Sequence, residues 1–236
     1  MKVVKYFSFL ILFSAQLECM IAENKMLKGV TENDSKLIKE AIEEGFDVNS
    51  SILWGISSEF NEEYGTAVIC PPLLATTYYS DIDINILEIL VKAGTDIEAE
   101  DWRGRTLLAK AVRKKNFRII KFIIKCDADV NSIDYDGCSI LNTAIGTGDI
   151  NVVKILVENG ANMFFEFDKK SILDQAKRFG NSKIINFLER SIKRLEVDVE
   201  KYIPKDLLSL VLGYLGSDYI PKKKKIKRNC DVCVIS

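Results

Sequence analysis

Short blocks of apolar residues at helical spacing occur in pairs along the middle of the chain. Leu107–Arg113 and Phe117–Lys125 form one pair, and Ile140–Thr147 and 151–159 form the next. In each block the apolar positions recur every three or four residues, which places them on one face of a helix. Each pair therefore predicts two short antiparallel helices joined by a turn.

Polar markers between the helix pairs repeat with a fixed period. The segment 101–104, Asp-Trp-Arg-Gly, is matched by 134–137, Asp-Tyr-Asp-Gly, 33 residues later. A second marker at 93–97 returns at 126–130 and 159–163, again in steps of 33. A period of this length is typical of a solenoid, in which each unit buries its apolar face by stacking on its neighbours.

Further units flank these two. A helix over 35–45 belongs to the first unit and one over Ile84–Lys92 to the second, while 172–179 and 183–190 supply the fifth. In the fifth unit Lys169 stands where the turn glycine is expected, so we predict a looser hairpin there. Atypical end units are expected, because an end unit has one solvated face.

The first interval of the array is longer than the others. Gly45 and Gly94 are 49 residues apart, which is 16 more than the period. We place this insertion near 50–70, where Trp54, Phe60 and Tyr64 favour packing or binding over simple solvation.

These markers resemble the ankyrin repeat, whose pattern is an Asp-x-x-Gly-x-Thr turn, two helices and a Gly-Ala-Asp-Val-Asn end. The residues that carry the resemblance are Asp101, Gly104, Thr106, Ala111, Ile119, Ile120, Ile123 and Asn131, and then Asp134, Gly137, Ser139, Ala144, Val152, Val153, Leu156 and Gly160. The resemblance covers 30–193 and implies an all-α ankyrin-repeat solenoid of about five helix-turn-helix units with a C-terminal helical extension. It departs from the family's Thr-Pro-Leu-His at 106–109, which reads Thr-Leu-Leu-Ala.

The resemblance also implies where a partner binds. Ankyrin-like proteins hold protein partners on hairpin tips and on the inner, concave helix face. Trp102, Arg103, Tyr135 and Asp136 fall at such tips, and aromatic and arginine side chains dominate interface energies. The alternative is that these side chains cover neighbouring hairpins. For the group Phe164, Phe165 and Phe167, before the fifth unit, we favour packing over partner contact.

The N-terminus has the pattern of a secretory signal over 1–22. Lys2 and Lys5 precede an apolar run over 6–15, which is too short to span a bilayer as a helix. Ala15, Cys19 and Ala22 are the small residues that qualify as cleavage sites. We expect export through this signal; the alternative is a buried first helix.

The segment 200–220 resembles the beginning of an F-box. The matching residues are Pro204, Leu207, Leu208, Val211 and Leu215. This resemblance implies docking on a Skp-type adaptor of a host ubiquitin ligase, as in ankyrin proteins of intracellular bacteria. The alternative is a helix that seals the end of the repeat array, because an apolar helix face suits either role.

The last segment, 221–236, is basic and ends in a CaaX-like tetrapeptide. Cys233-Val-Ile-Ser fits a prenylation box, and Cys230 is a candidate for a second lipid. Six basic residues over 222–228 would add attraction to an anionic membrane. Prenylation takes place in the eukaryotic cytosol, so it agrees with an export signal only when a bacterium exports the chain into a host cell.

Composition narrows the function classes. The chain of 236 residues has no histidine, which excludes a Ser-His-Asp or Cys-His nucleophile and any His-ligated metal, and we expect neither an enzyme nor a cofactor. The body from Cys19 to Pro221 carries 25 basic and 32 acidic residues, a net charge of −7 that argues against nucleic acid. We therefore predict a protein-interaction scaffold, with an exported effector at a host membrane as the specific hypothesis and a plain ankyrin binding module as its alternative.

Overall fold

The computed structural model describes residues 2–56, 67–78 and 83–200. Within them the chain is built from helical hairpins with only short strands, as the period predicts. It divides into two compact units, one of Met1–Val130 with Asp134–Asp136 and one of Asn131–Ile133 with Gly137–Ser236. None of the described helices is long and apolar enough to cross a membrane.

The first unit contains three of the predicted helix pairs and the insertion. Its elements are α1 (Lys2–Thr31), α2 (Ser35–Glu43), β1 (Ile52–Ile56), β2 (Ala67–Cys70), α3 (Pro72–Ala75), a 3₁₀ turn (Thr76–Tyr78), α4 (Ile84–Lys92), α5 (Leu107–Arg113) and α6 (Phe117–Lys125). Helices α5 and α6 have the bounds that the apolar blocks predict. Leu107 and Ile120 are fully buried in this unit's core.

The second unit contains the fourth and fifth pairs. Its elements are α7 (Ile140–Thr147), α8 (Ile150–Glu158), β3 (Glu166–Phe167), β4 (Lys170–Ser171), α9 (Ile172–Phe179) and α10 (Ser182–Glu200). Ile140 and Val153 are fully buried in the core of this unit. Helix α10 is the main difference from the sequence prediction, since it continues ten residues past position 190.

The first repeat begins earlier than the sequence pattern indicates. Instead of starting near Val30, it takes its first helix from the end of α1, which contacts α2 and in which Ala22, Met26 and Val30 are buried. At Gly29 a Cβ atom would stand 2.5 Å from the Cγ1 atom of Ile38, so the lack of a side chain lets the two helices approach closely. The predicted signal over 1–22 falls on the first two thirds of the same helix and stays a prediction.

The insertion folds in part as a two-stranded antiparallel sheet. Strands β1 and β2 pair Ile52 with Cys70 and Leu53 with Ile69, with an irregularity before Ile56. Ile52 and Cys70 are buried, whereas Leu53 and Ile69 are exposed, so the alternation of strand side chains gives this sheet one inner and one outer face. Residues 57–66 lie outside the described residues.

A recurring side-chain bond joins the ends of successive repeats. Asn49 Nδ2 donates to the carbonyl of Gly94 at 3.1 Å, and its Oδ1 accepts from the N–H of Asp96 at 2.7 Å. In the second unit Asn131 makes the same two bonds, to Gly160 at 3.0 Å and Asn162 at 2.7 Å. The first of these bonds spans 45 residues in one unit and 29 in the other, and the difference of 16 equals the predicted insertion.

The first helices of the third, fourth and fifth pairs, α5, α7 and α9, are capped as their turn residues predict. The hydroxyls of Thr106 and Ser139 accept from the N–H groups of Ala109 and Asn142, at 3.4 and 3.2 Å. Ser171 adds a reciprocal bond with Asp174, which completes a capping box. These caps fix where the helices begin, and therefore where the preceding tip loops end.

Candidate protein-binding surface

The tip loop before α5 presents two large side chains to solvent. Trp102 is 67% exposed, and the guanidinium of Arg103 lies over its indole ring, 4.4 Å from the ring centroid. This cation–π contact holds the two side chains together on the surface. The loop itself is a tight turn, in which the N–H of Gly104 donates to the carbonyl of Asp101 at 2.8 Å.

Tyr135 joins this loop from the next tip along the chain. It is 62% exposed, and its N–H donates to the carbonyl of Arg103 at 2.9 Å. The phenol hydroxyl donates to Glu100 at 3.2 Å. Trp102, Arg103 and Tyr135 thus form one surface within the first unit, which we call the aromatic tip.

Gly104 makes the seat for the Tyr135 ring. A Cβ atom on Gly104 would stand 2.3 Å from the Cδ1 atom of that ring, and the residue has a φ of +74°. Both facts require glycine, since L side chains rarely adopt this backbone conformation and none would fit beneath the ring. The glycine marker of the sequence therefore has a second role beyond its turn.

A buried carboxylate holds the tip loop from below. The side chain of Asp101 is almost fully buried; its Oδ1 atom accepts from the N–H groups of Arg103 at 2.9 Å and Arg105 at 3.0 Å. Its Oδ2 atom pairs with the Arg105 guanidinium at 2.8 Å and with Lys110 at 3.3 Å. Burial alone would raise the pKa of Asp101, but the bonds from Arg105 and the charge of Lys110 outweigh it and hold the pKa below its usual value.

Lys110 extends this network inward from α5. Its ammonium group donates to the Tyr78 hydroxyl at 2.6 Å and lies 4.0 Å from the centroid of that ring. Burial lowers the pKa of Lys110 against the raising effect of Asp101, and burial raises the pKa of Cys70 to about 11. Because the Cys70 thiol is protonated at neutral pH, the group is structural in character and offers no activated nucleophile.

The four residues that the sequence predicts as partner contacts are all exposed. Trp102, Arg103 and Tyr135 are exposed and contiguous, and Asp136 is exposed beside them. Their role in partner contact stays a prediction, and the packing of Tyr135 on Gly104 was not predicted from the sequence.

The phenylalanine group before the fifth repeat is partly buried, as packing predicts. Phe164, Phe165 and Phe167 are each half-buried, and the Phe167 ring lies 3.8 Å from where a Cβ of Gly137 would be. Partial burial of all three agrees with packing, and the neighbour at Gly137 shows it for Phe167.

The adaptor-docking residues Pro204, Leu207, Leu208, Val211 and Leu215 lie outside the described residues, as do the lipidation candidates Cys230 and Cys233.

Sequence reasoning missed the buried support of the tip. The sequence pattern indicates Asp101 only as a turn residue. Lys110 lies on α5 among apolar neighbours, and Tyr78 lies in the preceding repeat, so no local pattern connects the three residues. One signal was available in the sequence. A lysine within the apolar run Leu107–Val112 predicts a buried ammonium group, and a buried charge is stable only when it is paired with an opposite charge. Among the described residues no group of Cys, Asp and Glu could hold a metal ion.

Tandem helical hairpins with capped first helices, glycine turns and bonded loop ends define a helical repeat protein. A family model of ankyrin repeats, three copies long, matches residues 73–165 and 111–198, which together are more than half of the chain. The chain belongs to the ankyrin-repeat family, whose repeats are protein–protein interaction modules. No curated protein matches the chain.

Proposed function

We propose that this protein is a non-catalytic binding scaffold that holds a protein partner through the aromatic tip. The observation that carries the proposal is the exposure of Trp102 and Tyr135 on a loop whose backbone is fixed by Asp101. Large aromatic side chains on a rigid support favour binding, because little conformational freedom is lost when a partner covers them. We expect Asp136 and the inner helix face to extend the contact.

The experiment is affinity capture from eukaryotic cytosol with quantitative identification of the bound proteins. Trp102→Ala and Tyr135→Ala should each reduce capture of the same partner by at least about tenfold, as truncating a central interface aromatic does. Phe179→Ala is the matched control, since Phe179 is an exposed aromatic residue of the second unit and is not part of the aromatic tip. Equal capture by all three variants, with melting temperatures unchanged, would exclude the tip as the contact surface.

A narrower hypothesis extends this scaffold to ubiquitin ligase recruitment. It rests on the F-box-like residues Pro204, Leu207, Leu208, Val211 and Leu215. If this segment docks on a Skp-type adaptor, the purified chain should bind the adaptor and Leu208→Asp should abolish binding. Ser209→Asp is the control, because it makes the same charge change of one unit at a polar position of the pattern. Failure of the intact chain to bind leaves the plain ankyrin module as the function.

Export and membrane contact form the last part of the proposal. The signal-like segment over 1–22 would take the chain out of a bacterium, and a prenylated Cys233 beside the basic tail would hold it at a host membrane face. Intact mass of the chain expressed in eukaryotic cells tests the lipid, with Cys233→Ser and Cys230→Ser as separate variants. A chain without added mass at Cys233 contradicts prenylation.

A further inference from the structure

Helix α1 changes character sharply at Ala22. All five residues over 17–21 are exposed, whereas Ala22 is 1% exposed and Met26 and Val30 are fully buried. Positions 22, 26 and 30 are four apart, which is the spacing of one helix face. Among the side chains from position 17 onwards, the packed part of the helix therefore begins at Ala22.

The packed part of α1 forms the first repeat together with α2. It lies against α2 through the close approach of Gly29 to Ile38. Lys25 adds ion pairs with Glu40 of α2 at 3.4 Å and with Glu44, the residue that caps the end of α2. Removing this part would expose the apolar face of α2, so the repeat array requires it.

The part before Ala22 has the opposite properties. Leu17, Met20 and Ile21 are 50%, 58% and 44% exposed, and they lie at helical spacing on one part of α1. An exposed apolar patch of this kind is uncommon on a soluble domain unless something covers or removes it. Since the side chains over 17–21 are not needed for packing, this stretch is expendable to the fold.

We infer that a leader peptidase cuts the chain between Cys19 and Met20. The inference rests on the export that is part of the proposed function. In the reaction, water is added across the Cys19–Met20 amide bond: the carbonyl carbon of Cys19 becomes a carboxylate, and the nitrogen of Met20 becomes the new α-amino group.

Burial and sequence together select this bond from the three small-residue sites. A cut after Ala22 removes a buried side chain and places the new terminus directly against the packed turn. A cut after Ala15 falls at the end of the apolar run itself, without the short polar region that precedes a cleavage site. Cys19 is preceded by Gln16 and Glu18, and a cut there keeps every buried side chain of the helix.

The test is export of the full chain from a bacterial host, followed by N-terminal sequencing and intact mass of the exported protein. We expect a mature chain that begins at Met20. Cys19→Tyr should leave the leader attached, since a bulky residue is not accepted at this position, whereas Ala15→Leu should be processed like the parent chain.

The outcomes separate the inference from the proposal beneath it. An exported chain that begins at Glu23 or Gln16, or that keeps its leader, overturns the cleavage site while export stands. A chain that stays inside the cell overturns export and the cleavage site with it. Processing of Cys19→Tyr at an unchanged position also contradicts the inference.

Discussion

Two tip loops of the same protein use aromatic residues in opposite ways. In the first unit Trp102 stands outward on a loop braced by Asp101. In the second unit the hairpin of β3 and β4 turns Phe167 inward, and its turn residues Asp168 and Lys169 hold left-handed φ values of 52° and 57°. The contrast indicates that a tip loop whose backbone is held by a buried carboxylate can leave a large aromatic side chain in solvent.

The two loops should differ most in how much a buried carboxylate, that of Asp101, contributes to the free energy of unfolding. Asp101→Ala leaves Lys110 as a buried cation without its anion, which we expect to lower the free energy of unfolding by about 3–5 kcal/mol. Asp168→Asn, in the exposed turn of the other loop, should change it by less than about 0.5 kcal/mol, because asparagine tolerates the left-handed backbone conformation of Asp168. Urea denaturation of both variants measures this, and similar values would show that the first loop has no special support.

The seat of Tyr135 gives the next largest effect. Gly104→Ala introduces both an unfavourable φ and a clash with the ring, whereas Gly160→Ala has a φ of +88° with no atom within 4 Å. We expect about 1–2 kcal/mol of destabilisation for Gly160→Ala from the backbone alone, and at least about 1 kcal/mol more for Gly104→Ala. Equal losses in denaturation experiments would mean that the ring moves aside without cost.

Acid should weaken the braced loop. The pKa of Asp101 lies below its usual value in the folded chain, so its stabilising contribution is complete above about pH 4, the usual Asp range, and is lost as pH falls through the lower folded pKa. Asp101→Asn should flatten this part of the stability profile. Melting temperatures recorded between neutral and strongly acidic pH test it, and parallel profiles would contradict the direction of the pKa.

The smallest effect concerns the other loop. Lys169 has a left-handed backbone conformation, which is unfavourable for a residue with a side chain, so Lys169→Gly removes this strain. Glycine also has more conformational entropy in the unfolded chain, which offsets part of the benefit. We expect the free energy of unfolding to rise by about 0.5 kcal/mol. Lys170→Gly is the control; it lies in β4, where glycine should destabilise. A loss for Lys169→Gly would show that its side chain makes a contact worth more than the strain.

Local features of this fold were accessible from sequence, and contacts between distant residues were not. The bounds of α5 and α6 follow from apolar spacing, and the caps at Thr106 and Ser139 follow from hydroxyl residues before each block. The seat of Tyr135 on Gly104 joins loops of successive repeats, so no local pattern encodes it. The sequence pattern placed the start of the repeats too late because the signal-like run and the first repeat helix lie in one continuous helix, α1. Only the burial of the side chains from Ala22 onwards shows where the repeat helix begins.

The asparagine bonds at the repeat ends have a practical consequence. Asn49 and Asn131 make the same pair of bonds although 16 more residues lie within the first span. The asparagine bonds therefore form whether or not additional residues are inserted between the two bonded segments. Peptide tags or reporter sequences grafted between β1 and β2 should leave the neighbouring repeats in register, which makes this site a convenient handle for labelling the protein.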